Sequence, residues 1–164
     1  VRELEKSVAT DATIRTTTAL TIFNAGNQDN VLPGRAEATV NFRLLPGDTQ
    51  QSVTEHVRQT IGNDKISVAS GSWNSDPPPV SPTTGAAYGT LNRTIREIFP
   101  DVIVAPGLMV AATDSRHFAD IATNVFRFSP VRAKPEDLSR FHGTNERLSV
   151  QNYADMIRFY RRLM

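Results

Sequence analysis

Ala38-Thr39-Val40-Asn41-Phe42-Arg43-Leu44-Leu45 alternates between apolar and polar residues. That period of two predicts a strand with Val40, Phe42 and Leu44 on one face and Thr39, Asn41 and Arg43 on the other. The apolar face calls for burial, and Arg43 projects from the polar face. On spacing alone, a solvated arginine on a half-exposed sheet is as good a reading as a functional one.

Upstream, Thr16 to Phe23 is rich in Thr, with Leu20 and Ile22 alternating, and predicts a second strand. The turn formers from Asn24 to Asn30, followed by Pro33-Gly34, make the stretch between the two strands a loop. Leu4 and Val8 stand at helical spacing, so residues 1–10 read as the last turns of a helix whose beginning is absent.

Downstream, Pro46-Gly47-Asp48 turns the chain. Asp48 is the expected cap of a helix, with Gln51 as its capping-box partner. Val53, Val57 and Ile61 give that helix a narrow apolar stripe, and His56 lies on its surface beside the stripe. Gly62-Asn63-Asp64 ends it, and Ile66 to Trp73 reads as a further strand. Helix end, strand, strand, helix, strand is the α+β layer pattern, a small antiparallel sheet with helices on one face.

Pro77, Pro78, Pro79 and Pro82 interrupt the chain next. Proline resists both helix interiors and central strands, so this segment is the expected boundary between two units. Beyond it the pattern alternates. Gly85 to Phe99 predicts a helix with Ala87, Leu91, Ile95 and Ile98 inward, closed by Pro100. Val102 to Val104 and Val125 to Phe128 read as short strands. Between them, Thr113-Asp114-Ser115-Arg116-His117 enters a short helix capped by Thr113 or Asp114. Ser149 caps a final helix whose expected inward face is Val150, Tyr153, Ile157 and Tyr160 or Arg161. This half has the character of a layered α/β sheet.

Composition removes several classes of function. The chain has 164 residues, 18 basic against 17 acidic, for a net charge of +1. That balance gives no electrostatic case for nucleic acid or a membrane surface, and no apolar run reaches membrane-spanning length. Cysteine is absent, which rules out thiolate chemistry and disulfides. No glycine-rich phosphate loop and no Gly-x-Ser-x-Gly elbow occurs. The polar groups that remain are Asn30 with Arg43, the cluster from Thr113 to His117, and His142. His142 sits in Ser139-Arg140-Phe141-His142-Gly143-Thr144-Asn145, an exposed loop suited to a metal ligand or proton shuttle. A metal site needs at least three suitably oriented donors, and the carboxylates here are scattered. By spacing alone the chain carries substrate-facing groups and an incomplete catalytic apparatus.

Four segments resemble the aminoacylase / carboxypeptidase S family of dinuclear zinc amidohydrolases. The first is Asn30-Val31-Leu32-Pro33 with Ala36 to Arg43, and the second is Pro46-Gly47-Asp48-Thr49. The third is Ala112-Thr113-Asp114-Ser115-Arg116-His117-Phe118. The fourth is Phe126-Arg127-Phe128-Ser129-Pro130 leading to His142-Gly143-Thr144-Asn145-Glu146-Arg147-Leu148. The resemblance implies that residues 1–75 are the latter part of an α+β lid, or dimerisation, domain. It implies that residues 76–164 are the C-terminal part of an α/β zinc-peptidase catalytic domain. By the same resemblance His142 is a zinc ligand, while Asn30, Arg43 and, less directly, Arg116 bind substrate. A guanidinium fork matches a carboxylate bidentately, which suits an N-acyl amino acid or short peptide with a free carboxylate. The family's other zinc ligands and its general-base Glu have no counterpart here. The expectation is a portion of a two-zinc hydrolase, paired as a homodimer through the lid and inactive by itself. The alternative is a non-catalytic dimerisation module.

Overall fold

The structure is a computed structural model that describes residues 1–72 and 74–164. They divide into two compact units. The first comprises Val1–Val80 with Leu108–Arg116, and the second Ser81–Gly107 with His117–Met164.

The first unit is organised on an antiparallel ribbon of β1 (Thr17–Ala25) and β2 (Ala36–Arg43), in register from Thr17 opposite Arg43 to Ala25 opposite Ala36. The alternating stretch therefore does form a strand. A register shift between Leu20 and Ile22 leaves Thr21 outside the pairing, and its hydroxyl donates to the Thr39 carbonyl instead. The expected burial of the apolar face is realised in part. Phe42 and Leu44 are half-buried and Val40 is exposed, Leu20 and Phe23 of β1 are 65% exposed, and no residue of this unit is fully buried among those described.

Before the ribbon, the expected helix is reduced to a 3-10 turn, Leu4–Lys6, and a single α-helical turn, α1 (Val8–Asp11). After it comes α2 (Gln50–Ile61). Its cap is Thr49, not Asp48. The Thr49 hydroxyl accepts from Ser52 N at 3.0 Å, and the Ser52 hydroxyl accepts from Thr49 N at 2.9 Å. Asp48 is engaged elsewhere, accepting from the Thr16 hydroxyl, which itself accepts from Leu45 N. That chain of bonds ties the start of β1 to the turn after β2. Asp76 accepts from Gln50 N at 2.8 Å, so the segment entering the prolines is fastened to the start of α2. Gly62 ends the helix in the left-handed conformation at φ 55°, as its sequence predicts. The strand expected from Ile66 to Trp73 is absent over residues 66–72, and Trp73 lies outside the described residues.

The second unit holds the core. α3 (Ala86–Ile98) and α4 (Val150–Leu163) pack together, burying Ile95, Phe99 and Phe159. Leu91, Ile98, Val102, Val104 and Leu163 close around them, whereas Ala87 is exposed. The Ser149 hydroxyl caps α4 by accepting from Asn152 N at 3.1 Å. The inward face of α4 is not the one its sequence suggested. Val150, Tyr153, Ile157 and Tyr160 are exposed, and the inward row is Asn152 and Phe159, both buried, with Leu163 partly buried. The helix carries two apolar rows, and the one bearing Phe159 packs against Phe128, with ring centroids 5.2 Å apart.

The segments 102–104 and 125–128 have no regular secondary structure and join no ladder among the described residues. Side chains hold the second of them. Ser81 Oγ donates to Val125 O and accepts from Val125 N, and Phe126 tilts against Tyr88 at 5.8 Å. A strand exists only where a neighbour completes its hydrogen bonds, and no described residues provide one here.

Candidate functional site

The candidate residues fall on three loops and one strand end. Arg43 closes β2 opposite Thr17 and is exposed. Its guanidinium has no hydrogen-bond or ion-pair partner among the described residues. Arg15, Arg132, Arg140, Arg158 and Arg162, by contrast, each hold a carboxylate. Asn30 lies in the connection between β1 and β2, also exposed. From the start of β2 to Arg43 the strand runs about 23 Å, so the ribbon carries Arg43 away from the end that holds the Asn30 loop.

Arg116 and His117 lie in a 3-10 turn, Asp114–Phe118, and both are exposed. Thr113 organises its start. Its hydroxyl accepts from Ser115 N at 3.3 Å and shares a hydrogen bond with the Ser115 hydroxyl, while its carbonyl accepts from Arg116 N. Thr113, rather than Asp114, is thus the residue that starts this turn.

His142 is exposed. It follows a second 3-10 turn, Pro135–Arg140, whose first turn is set by Asp137 accepting from Lys134 N at 3.0 Å. That bond, helped by the nearby Arg140 guanidinium, holds the Asp137 carboxyl below the usual carboxylate range. Phe141 N donates to Leu138 O, and Gly143 N donates to Arg140 O at 2.9 Å. His142 and Asn145 both stand in the left-handed region, at φ 57° and 64°. Such a conformation costs a non-glycine residue roughly 1–3 kcal/mol, is easiest for Asn, and is found most often at functional sites. The sequence marked this loop as exposed; its hydrogen-bonded closure and two left-handed residues were not legible there, beyond the hint of Asn145.

Residues 2–68 match the family model described as a peptidase dimerisation domain. Relatives extend the likeness over the rest of the chain. "Probable carboxypeptidase S-like 2" of Dictyostelium discoideum is 45% identical over 163 residues, 99% of this chain and 31% of that protein. The human "N-fatty-acyl-amino acid synthase/hydrolase PM20D1" is 44% identical over 161 residues, 96% of this chain and 32% of that protein. A fission-yeast protein named as an uncharacterized carboxypeptidase is 29% identical over 173 aligned positions. No solved structure gives a significant match. Residues 2–68 of the chain are an M20 peptidase dimerisation domain. The chain spans about a third of the length of these curated relatives.

Within the M20 dimerisation domain lie Asn30 and Arg43, whereas Arg116 and His142 lie beyond it. The first compact unit contains Asn30, Arg43 and Arg116, and the second contains His142. The described residues do not by themselves make up a metal's coordination sphere. His142 offers an exposed imidazole, yet no group of three or more His, Asp or Glu converges among the described residues. A zinc ion needs three or four protein ligands.

Proposed function

We propose that this chain is the lid-bearing C-terminal part of a zinc-dependent M20 hydrolase. It would cleave the amide bond of N-acyl amino acids or short peptides with a free carboxylate. The lid portion would run to about residue 75 and the catalytic portion from there on. One observation carries the reading: identity to the carboxypeptidase-like and N-fatty-acyl-amino acid hydrolase relatives runs through nearly the whole chain, far past the dimerisation domain at 2–68. A module needed only for pairing would have no reason to resemble hydrolases over its second half.

In this reading Arg43 and, less directly, Arg116 hold the substrate carboxylate, while Asn30, on the loop at the opposite end of the ribbon, meets the amide carbonyl of substrate bound by the paired copy. The exposed Arg43 guanidinium is ready for such a ligand, since its donors need not first be released from an internal partner. His142 supplies one of the zinc ligands, and the remaining ligands and the general base come from residues outside this chain. Bound zinc supplies Lewis-acid activation of water and of the scissile carbonyl. The lid pairs with a second copy, and the exposed apolar side chains of the ribbon, Leu20, Ile22 and Phe23, support that part of the reading.

The test uses the longer protein, assayed on N-acyl amino acids. Replacing Arg43 by Ala should lower kcat/KM for carboxylate-bearing substrates by roughly 10- to 100-fold, the value of a charge-assisted hydrogen bond. The corresponding amidated substrates should respond far less. Unchanged kinetics in Arg43→Ala, or the same fractional loss on both kinds of substrate, would remove Arg43 from the site, and a longer protein with no amide hydrolysis at all would remove the reading.

A further inference from the structure

A methyl group placed on Gly143 would lie 2.7 Å from the Ser139 carbonyl oxygen and 3.4 Å from that of Arg140. Real side chains do not tolerate the first distance, and the atom in the way is backbone, so it cannot swing aside. Among the described glycines no other meets so close an obstacle. The same loop holds His142 and Asn145 in the left-handed region on either side of it, and the Gly143 N–H donates to Arg140 O. Position 143 is therefore where the chain doubles back onto its own 3-10 turn, and only a residue without a side chain lets it close.

We propose that Gly143 is a positioning residue for His142. Its missing Cβ permits the closure that fixes the backbone of His142 at positive φ, and this fixes the direction from which the imidazole is presented. The proposal rests on His142 being a metal ligand. Any side chain at 143 would push the loop off the Ser139 carbonyl and turn the imidazole away from its line of approach, with the rest of the second unit unaffected. Asn145 is the second fixed point, and there the requirement is only for a residue that accepts positive φ.

The experiment uses the longer protein with cobalt in place of zinc, reading the visible absorption band and the cobalt affinity alongside the thermal melt. Gly143→Ala should weaken cobalt binding by about 10- to 100-fold, the usual effect of disturbing a ligand's support. It should also shift the absorption band while the cooperative melt is retained. Asn145→Val should act in the same direction, and Asn145→Gly should keep the wild-type band. If His142→Ala loses cobalt while Gly143→Ala keeps both band and affinity, the positioning role is overturned and the ligand role stands. If His142→Ala itself binds cobalt as wild type does, the ligand reading fails first. Should Gly143→Ala lose its cooperative melt, the Asn145 pair decides, and an unshifted band in Asn145→Val overturns the proposal.

Discussion

The ribbon of the first unit and the helix pair of the second are held together by different forces. β1 and β2 satisfy each other's backbone over eight paired positions, yet most of their apolar side chains are exposed. α3 and α4 instead enclose side chains, with Phe159 at 1% exposure, Phe99 at 4% and Ile95 at 6%. Hydrogen bonding shapes the ribbon, while burial stabilises the helix pair. Net hydrogen-bond stabilisation is modest and apolar burial contributes more, so the ribbon is a surface that gains from being covered. The helix pair is a core already made. The difference matches the division of labour proposed for an M20 hydrolase, with a pairing surface in one unit and a fixed frame for a ligand loop in the other.

The largest test of that contrast sets two phenylalanines side by side. Phe159→Ala should cost about 3–5 kcal/mol in chemical denaturation, the range for emptying a fully buried aromatic site. Phe23→Ala, at a side chain 65% exposed, should stay within about 0.5 kcal/mol. A comparable loss at both positions would mean that the ribbon hides a core of its own. The helix caps come next. Ser149→Ala and Thr49→Ala should each cost about 1 kcal/mol, because each removes the acceptor for an otherwise orphaned N–H. A null result at Ser149 would show that α4 is held by its packing against α3 and not by its cap.

The smallest effect belongs to the brace between the end of α3 and the loop after Pro130. Arg132 lies over the Phe99 ring at 5.0 Å and reaches both oxygens of Asp101 at 2.7 and 3.0 Å. The hydrogen bond from Arg132 lowers the Asp101 carboxyl below its ordinary value and correspondingly raises the Arg132 guanidinium. A carboxylate depressed in the folded state contributes stability that is present above its unfolded pKa and is lost as pH falls through the lower folded value. Stability should therefore decline slightly less steeply below about pH 4 in Asp101→Asn than in wild type. Identical acid limbs would show that the pair is fully screened by solvent.

Sequence reading recovered what local pattern controls. The alternation at Thr39 to Arg43, the stripe of Leu91 and Ile95, Gly62 as a helix stop and Ser149 as a helix start all depend on a few adjacent residues. It missed what depends on neighbours in space. Asp48 was the better cap on paper, but Thr16 claims it, thirty-two positions away in the chain. α4 has two apolar rows, and the packing of Phe159 with Ile95, Phe99 and Phe128 selects between them. The segments 66–72, 102–104 and 125–128 have strand composition without a strand to join. Of the candidate site, the residue types were legible through family resemblance, since side chains that face a ligand leave no periodic signature. The closure at Gly143 was not legible, because a carbonyl 2.7 Å from an imagined Cβ exists only in three dimensions.

Most of the functional picture depends on His142 being one ligand of a metal site completed outside this chain. Metal analysis of the longer protein, purified in zinc, measures this directly beside its His142→Ala variant. Two zinc ions are expected in the first and fewer than two in the second, with the melt of the second unit preserved. Equal zinc in both proteins would contradict a ligand role for His142.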